Sequence, residues 1–112
     1  MNEAKCEVLL AELAHARAGD KGDILNIGVF VFDPADFDWL SRELSEERLR
    51  RHFAHRRPTR IERYPMPTLG GINLVLHGVL EGGVNASAGL DRHGKTLSYH
   101  LLSMRLPAPL PR

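Results

Sequence analysis

Between Ala16 and Phe32 the chain reads A-R-A-G-D-K-G-D-I-L-N-I-G-V-F-V-F, and no other stretch concentrates so many polar groups of different chemistry. Arg17 and Lys21 could neutralise an anion cradled by backbone amides that Gly19 and Gly22 leave free to turn toward it. Asp20 and Asp23 could hold a hard cation such as Mg²⁺, which takes carboxylate oxygens and completes its shell with water. Alternatively the opposite charges pair with each other and fix the shape of a loop, as acid-rich turns with glycine commonly do. Asn26 adds a neutral hydrogen-bonding group just beyond. The segment is neither a Walker loop, which needs G-x-x-x-x-G-K-S/T, nor a G-x-G-x-x-G fingerprint, so nucleotide binding by either standard route is disfavoured.

A second group lies near the middle of the chain. Leu69, Ile72, Leu76, Val79 and Leu80 recur at helical spacing, with Gly82-Gly83 as a stop. On such a helix Asn73 and His77 stand one turn apart on one face; Ile72 to Val75 would also suit a strand. His77 sits in an apolar segment, where a hydrogen-bonded core histidine competes with a general base. None of the six histidines forms H-x-x-x-H beside a suitably placed acid. His52 and His55 are accounted for by solvation at a helix end. Ser87 and Ser103 lack a nucleophile-elbow setting. Cys6, the sole cysteine, reads as a strand residue.

The elements that must position these groups follow from periodicity. Lys5 to His15 predicts a strand, the glycine-rich stretch a charged loop, and Leu25 to Phe32 a second strand, the two pairing as a wide-looped hairpin. Asp33 reads as an N-cap with Pro34 at the first helical position, and Ser45 followed by two glutamates as a second cap. Two short helices, or one kinked one, therefore fill Pro34 to His55. The arginines from Arg48 to Arg57 fall at the helix end, where they complement the macrodipole. Thr59 to Tyr64 predicts an edge strand, broken by Pro65-Met66-Pro67. Val84 to Leu90 and Thr96 to Leu106 predict a hairpin turning at Asp91-Arg92-His93-Gly94. Residues 107–112, rich in proline, predict an extended tail. The order gives an α+β sandwich with helices on one face of a largely antiparallel sheet.

With 112 residues there is room for one core, and a formal net charge of +1 gives no global pull toward nucleic acid or a membrane. The arginines between Arg48 and Arg63 are interleaved with too few aromatics to form a stacking platform for single strands. No apolar run approaches a membrane span, and the polar start from Met1 to Lys5 shows no secretory signal, so the expectation is a cytoplasmic chain.

Three segments resemble the small C-terminal domain of the acyclic terpene utilisation (AtuA) family. They are Ala16 to Val29, matching A-R-S/A-G-D-K-G-D-x-x-N-I-G-V; Leu76 to Gly83, matching L-H-G-A/V-L and following glycines; and Leu90 to Leu97, matching L-D-x-x-G-K-x-L. The resemblance implies a ferredoxin-like fold over residues 1–106, here as a stand-alone chain that accompanies a separate large AtuA-type chain. It implies work on branched terpenoid acyl or acyl-CoA compounds, and names a pathway neighbourhood more firmly than a reaction. Asn85 to Ala88 depart from the pattern, where basic and bulkier residues are expected. In the leading reading, Arg17 and Lys21 hold a carboxylate or phosphate, Asp20 or Asp23 orients a partner group or cation, and Asn26, Asn73 and His77 supply hydrogen bonds. A self-contained small enzyme would use His77, Asp20 or Asp23 as its base. A nucleic-acid or acidic-ligand module is the third reading. The sequence names no cofactor or metal and leaves a homo-oligomer open.

Overall fold

A computed structural model describes residues 7–79 and 97–109. Two strands of equal length, β2 (Ala14–Lys21) and β3 (Ile24–Val31), pair antiparallel from Ala14 opposite Val31 to Lys21 opposite Ile24. Only Gly22 and Asp23 turn between them, with Gly22 at φ 63°, a left-handed conformation that glycine adopts without a Cβ penalty. The wide charged loop expected here is therefore mostly strand. Its alanines, glycine and charges are poor strand formers taken singly, but complete pairing with β3 satisfies every second amide and overrides that preference.

The strand expected over Lys5 to His15 is interrupted. β1 (Glu7–Leu9) gives way to a single helical turn, α1 (Leu10–Leu13), before β2 begins. Leu10 is fully buried, and its amide donates to the Met104 carbonyl at 2.9 Å, which holds the break in place.

The two helix starts form as expected. Asp33 accepts from the Ala35 amide at 3.0 Å, a 3-10 turn at Pro34–Asp36 follows, and α2 covers Phe37–Glu43. Ser45 accepts from the Arg48 amide at 3.1 Å and opens α3 (Glu46–His52). Then come β4 (Arg60–Met66), a 3-10 turn at Pro67–Leu69, and β5 (Gly71–His77).

That last element corrects the helix expected from Leu69 to Leu80. Ile72, Leu74 and Leu76 are buried and alternate with half-buried Asn73, Val75 and His77, a period of two. Pairing with β3 on one side and β4 on the other fixes β5 as a central strand, information that lies elsewhere in the chain.

The four strands stand in the order β2-β3-β5-β4, all antiparallel, so β4 is an edge as expected. Pro65 is tolerated there because an edge strand can forgo a donor. A second, two-stranded sheet joins β1 to β6 (Arg105–Pro107), bringing both ends of the described chain together. Pro107, the first residue of the expected tail, is the last residue of that strand. Of the C-terminal hairpin expected from Val84 to Leu106, the first arm and the turn lie outside the described residues. In the second arm, 97–102 are helical and strand begins only at Arg105.

One face of the main sheet carries the core. Leu25, Ile27, Val29, Ile72, Leu74 and Leu76 are wholly buried there. Leu40, Leu44, Leu49 and Phe53 from the helices join the same cluster. Arg63 clamps this layer: its Nε donates to the Leu44 carbonyl at 2.8 Å and its Nη2 to the Ser41 carbonyl at 2.7 Å, satisfying groups at the end of α2.

Candidate functional site

Strand alternation decides which polar residues meet. Cross-strand partners share a face, so on the side opposite the core the register aligns Lys21, Ile24, His77 and Arg60 in one row. The next row holds Gly19, Asn26, Val75 and Glu62, and the third Arg17, Gly28, Asn73 and Tyr64. A fourth holds His15, Phe30, Gly71 and Met66. Arg17, Lys21, Asn26, Asn73 and His77, predicted from two distant stretches, thus gather on one sheet face. Helical spacing was the wrong reason for grouping Asn73 with His77, but a separation of four also keeps two strand residues on one side.

The aspartates part company. Asp20 pairs with Leu25, on the core side of the sheet, and Asp23 sits in the turn, its carbonyl accepting from the Gly78 amide at 3.0 Å. Asp23 therefore borders the end of β5 just beyond His77, whereas Asp20 stands on the opposite side of the sheet from Asn73 and His77. Nor do the charges of the motif pair with each other: no ion pair joins any two of Arg17, Asp20, Lys21 and Asp23. Alternation explains this for Asp20, which is on the opposite side from Arg17 and Lys21.

Two hydrogen-bonded units stand on the open face. The Asn73 Nδ2 donates to Asn26 Oδ1 at 3.0 Å, a diagonal link between β5 and β3. His77 Nε2 lies 3.1 Å from Glu62 Oε1, and Arg60 Nη2 lies 2.7 Å from Glu62 Oε2. The hydrogen bond from His77 is the main reason that the Glu62 carboxyl is held below its ordinary range, with the Arg60 charge and a Tyr64 hydrogen bond acting the same way. An ionised Glu62 accepts from Nε2–H and so directs the basic lone pair of His77 to Nδ1. A carboxylate-oriented imidazole can take up a proton from a bound group. Glu62 was missed as a site residue, although Arg60, Glu62 and Tyr64 alternate with Ile61 and Arg63 in the sequence, a spacing that puts all three on one side of a strand.

Glycines shape the fourth row. A Cβ on Gly71 would fall 2.3 Å from the Phe30 ring and 2.5 Å from the Val29 carbonyl oxygen, and one on Gly28 would fall 3.0 Å from the same ring. Phe30 therefore lies flat across Gly28 and Gly71. His15 stacks on it with ring centroids 5.6 Å apart, and on Phe32 at 5.4 Å.

Other groups stay away from this face or are engaged structurally. Arg50 and Arg51 pair with Glu46 and Glu47 one helical turn earlier, and Arg56 donates to the Val79 carbonyl at 2.8 Å. His52 and His100 stack with centroids 4.1 Å apart, each Nε2 lying 2.7 Å from the other's carbonyl oxygen. Among the described residues no three His, Cys, Asp or Glu side chains are grouped to hold a metal ion. No helix among them is long and apolar enough to cross a membrane.

The model of the AtuA ferredoxin-like domain family matches residues 8–107. The chain belongs to that family. The α+β architecture, with its antiparallel sheet and one helical face, is the ferredoxin-like fold that the motifs implied. No curated protein and no solved structure matches the chain. Within this AtuA ferredoxin-like domain, the A-R-A-G-D-K-G-D motif occupies β2 and its turn, and Leu76-His77 ends β5 two strands away, with Gly78 just beyond it. Gly78 takes φ 82° and a Cβ there would meet Thr59 at 3.0 Å, so this glycine is needed where β5 leaves the sheet.

Proposed function

We propose that the chain is a cytoplasmic small subunit that works with a large AtuA-type chain on branched, terpenoid-like acyl or acyl-CoA compounds. The observation that carries this reading is the convergence of Arg17, Lys21, Asn26, Asn73 and His77 on one open sheet face. Arg17 and Lys21, which have no ion-pair partner among the described residues, are cations suited to a carboxylate or a CoA phosphate. Asn26 and Asn73 use one hydrogen bond on each other and retain further donors and acceptors for a ligand carbonyl. His77, oriented by Glu62, is the base. Asp23 at the rim orients a partner group or a cation, and Asp20 supports the turn from the other side of β2. Arg17, Lys21 and Asn26 are exposed and Asn73 and His77 half-buried, which favours a site completed by another chain over one closed within this domain.

The test is to isolate the tagged chain from its own cell and assay acyl-CoA turnover with and without the large chain. The expected result is recovery of the large chain, turnover only by the pair, and loss of that turnover in Asn73→Ala and His77→Gln at a temperature where both variants are still fully folded. Full turnover by the purified small chain alone would replace this reading with the self-contained enzyme, which the Glu62–His77 pair favours.

A further inference from the structure

We infer that the open sheet face grips the large chain through a surface segment that is apolar at one end and acidic at the other. This rests on the partnership proposed above and adds how the two chains recognise each other. The apolar end is the aromatic row and its continuation. Phe32 is 63% exposed and Leu69 64%, although both are large and apolar. They come to the same end of the sheet, because Leu69 precedes Gly70, whose carbonyl accepts from the Val31 amide at 3.0 Å. Phe32 is also pre-ordered: His15 stacks between it and Phe30, so little side-chain freedom remains to be lost on binding. Rigid, exposed aromatic groups beside an arginine are the composition of binding hot spots, and isolated domains seldom leave such a patch open without a use.

The other end is basic. Lys21 and Arg60 stand in the row farthest from Phe30, and Arg17 lies between the two ends. Among the described residues Glu62 is the one acid on this face of the sheet, and it is already held by Arg60 and His77. Neither Arg17 nor Lys21 has an ion-pair partner among the described residues. From His15 to Lys21 the strand spans about 20 Å at roughly 3.4 Å per residue, the length of a short strand or a helix of about thirteen residues. A second copy of this chain would bring the same three cations against these, so charge complementarity selects an acidic partner over self-association.

The experiment measures the dissociation constant of the full-length small chain for the large chain by calorimetry, at low and high salt. Phe32→Ser with Leu69→Ser should weaken binding at least tenfold at both salt concentrations. Arg17→Glu with Lys21→Glu should weaken it at low salt and flatten the salt dependence. Arg51→Glu, a charge reversal in the helical layer, should leave both unchanged, and circular dichroism should show all variants folded. A complex that forms with wild-type affinity in both double variants would overturn the docking inference while leaving the partnership intact. Absence of any complex would overturn both. A small chain that sediments alone as a dimer, dissociated by the Phe32 and Leu69 changes, would give the face to a second copy and overturn the inference.

Discussion

Glycines and single ion pairs set the character of the open face. Gly71 has no room for a methyl group: the obstruction on one side is the Val29 carbonyl, part of the central strand, and on the other the Phe30 ring. Gly71→Ala should therefore destabilise the domain by about 1–3 kcal/mol through overpacking and should loosen Phe30. Nothing lies within 4 Å of a Cβ on Gly19, so Gly19→Ala should be neutral or stabilising by about 0.4–1 kcal/mol, through a less flexible unfolded chain. Urea unfolding of both variants tests the contrast, and an equal effect would mean that the glycines of the motif and of β5 serve the same purpose. Glu62 makes a pH-dependent contribution of definite sign. Its folded-state pKa is lowered, chiefly by His77, so the stabilisation is present above the ordinary carboxylate range and is lost as pH falls through the folded value. The difference in unfolding midpoint between the native chain and Glu62→Gln should accordingly shrink as acid is added and vanish once both carry a neutral group.

At the scale of elements, what could be read from the chain in advance was whatever is written locally. Asp33 with Pro34, and Ser45 with its following glutamates, announce helix starts because a cap needs only its own few residues, and both caps form. β5 was misread because Leu69, Ile72, Leu76 and Val79 satisfy helical spacing while Ile72, Leu74 and Leu76 satisfy strand spacing; only β3 and β4 on either side choose between them. The motif in β2 misled in the same way, since two glycines and four charges look like a loop until an eight-residue partner is supplied. The contact between α3 and the 97–102 helical segment could not have been read at all, because His52 and His100 are far apart in sequence. That contact carries a prediction. Burial lowers the pKa of His52 and also of His55, and the neighbouring imidazole of His100 adds to both shifts. The unfolded chain therefore binds protons first, so stability is intact above about 6.5, the ordinary histidine value, and is lost as pH falls through the folded values. Thermal unfolding between pH 8 and pH 5 should show a falling midpoint, and His100→Gln should flatten that fall; an equally steep fall in the variant would place its origin elsewhere.

At the scale of the whole molecule, the domain is closed by its ends. β1 and β6 form the small sheet, and the Trp39 indole, almost wholly buried in the core, donates its Nε1–H to the Pro107 carbonyl at 2.8 Å. Composition marks Pro107 as the start of a tail, because proline cannot donate to a ladder, but here its carbonyl rather than its missing N–H makes the contact. The last strand among the described residues therefore ends at Pro107, where the family match also ends. Trp39→Phe keeps most of the apolar contact but removes the donor and leaves a part-buried carbonyl unpaired, which should cost about 1–3 kcal/mol. For a domain of this size each kcal/mol corresponds to roughly 4–8 °C in Tm. Deleting residues 108–112 leaves all the strand pairing among the described residues in place and should leave Tm unchanged, whereas deleting 105–112 strips β1 of its partner and Trp39 of its acceptor and should lower it by more than Trp39→Phe does. Calorimetric scans of the three variants decide the matter. A Trp39→Phe variant as stable as the native chain would mean that β6 is held by its pairing with β1 and by Leu106 in the core, with the indole hydrogen bond a bystander.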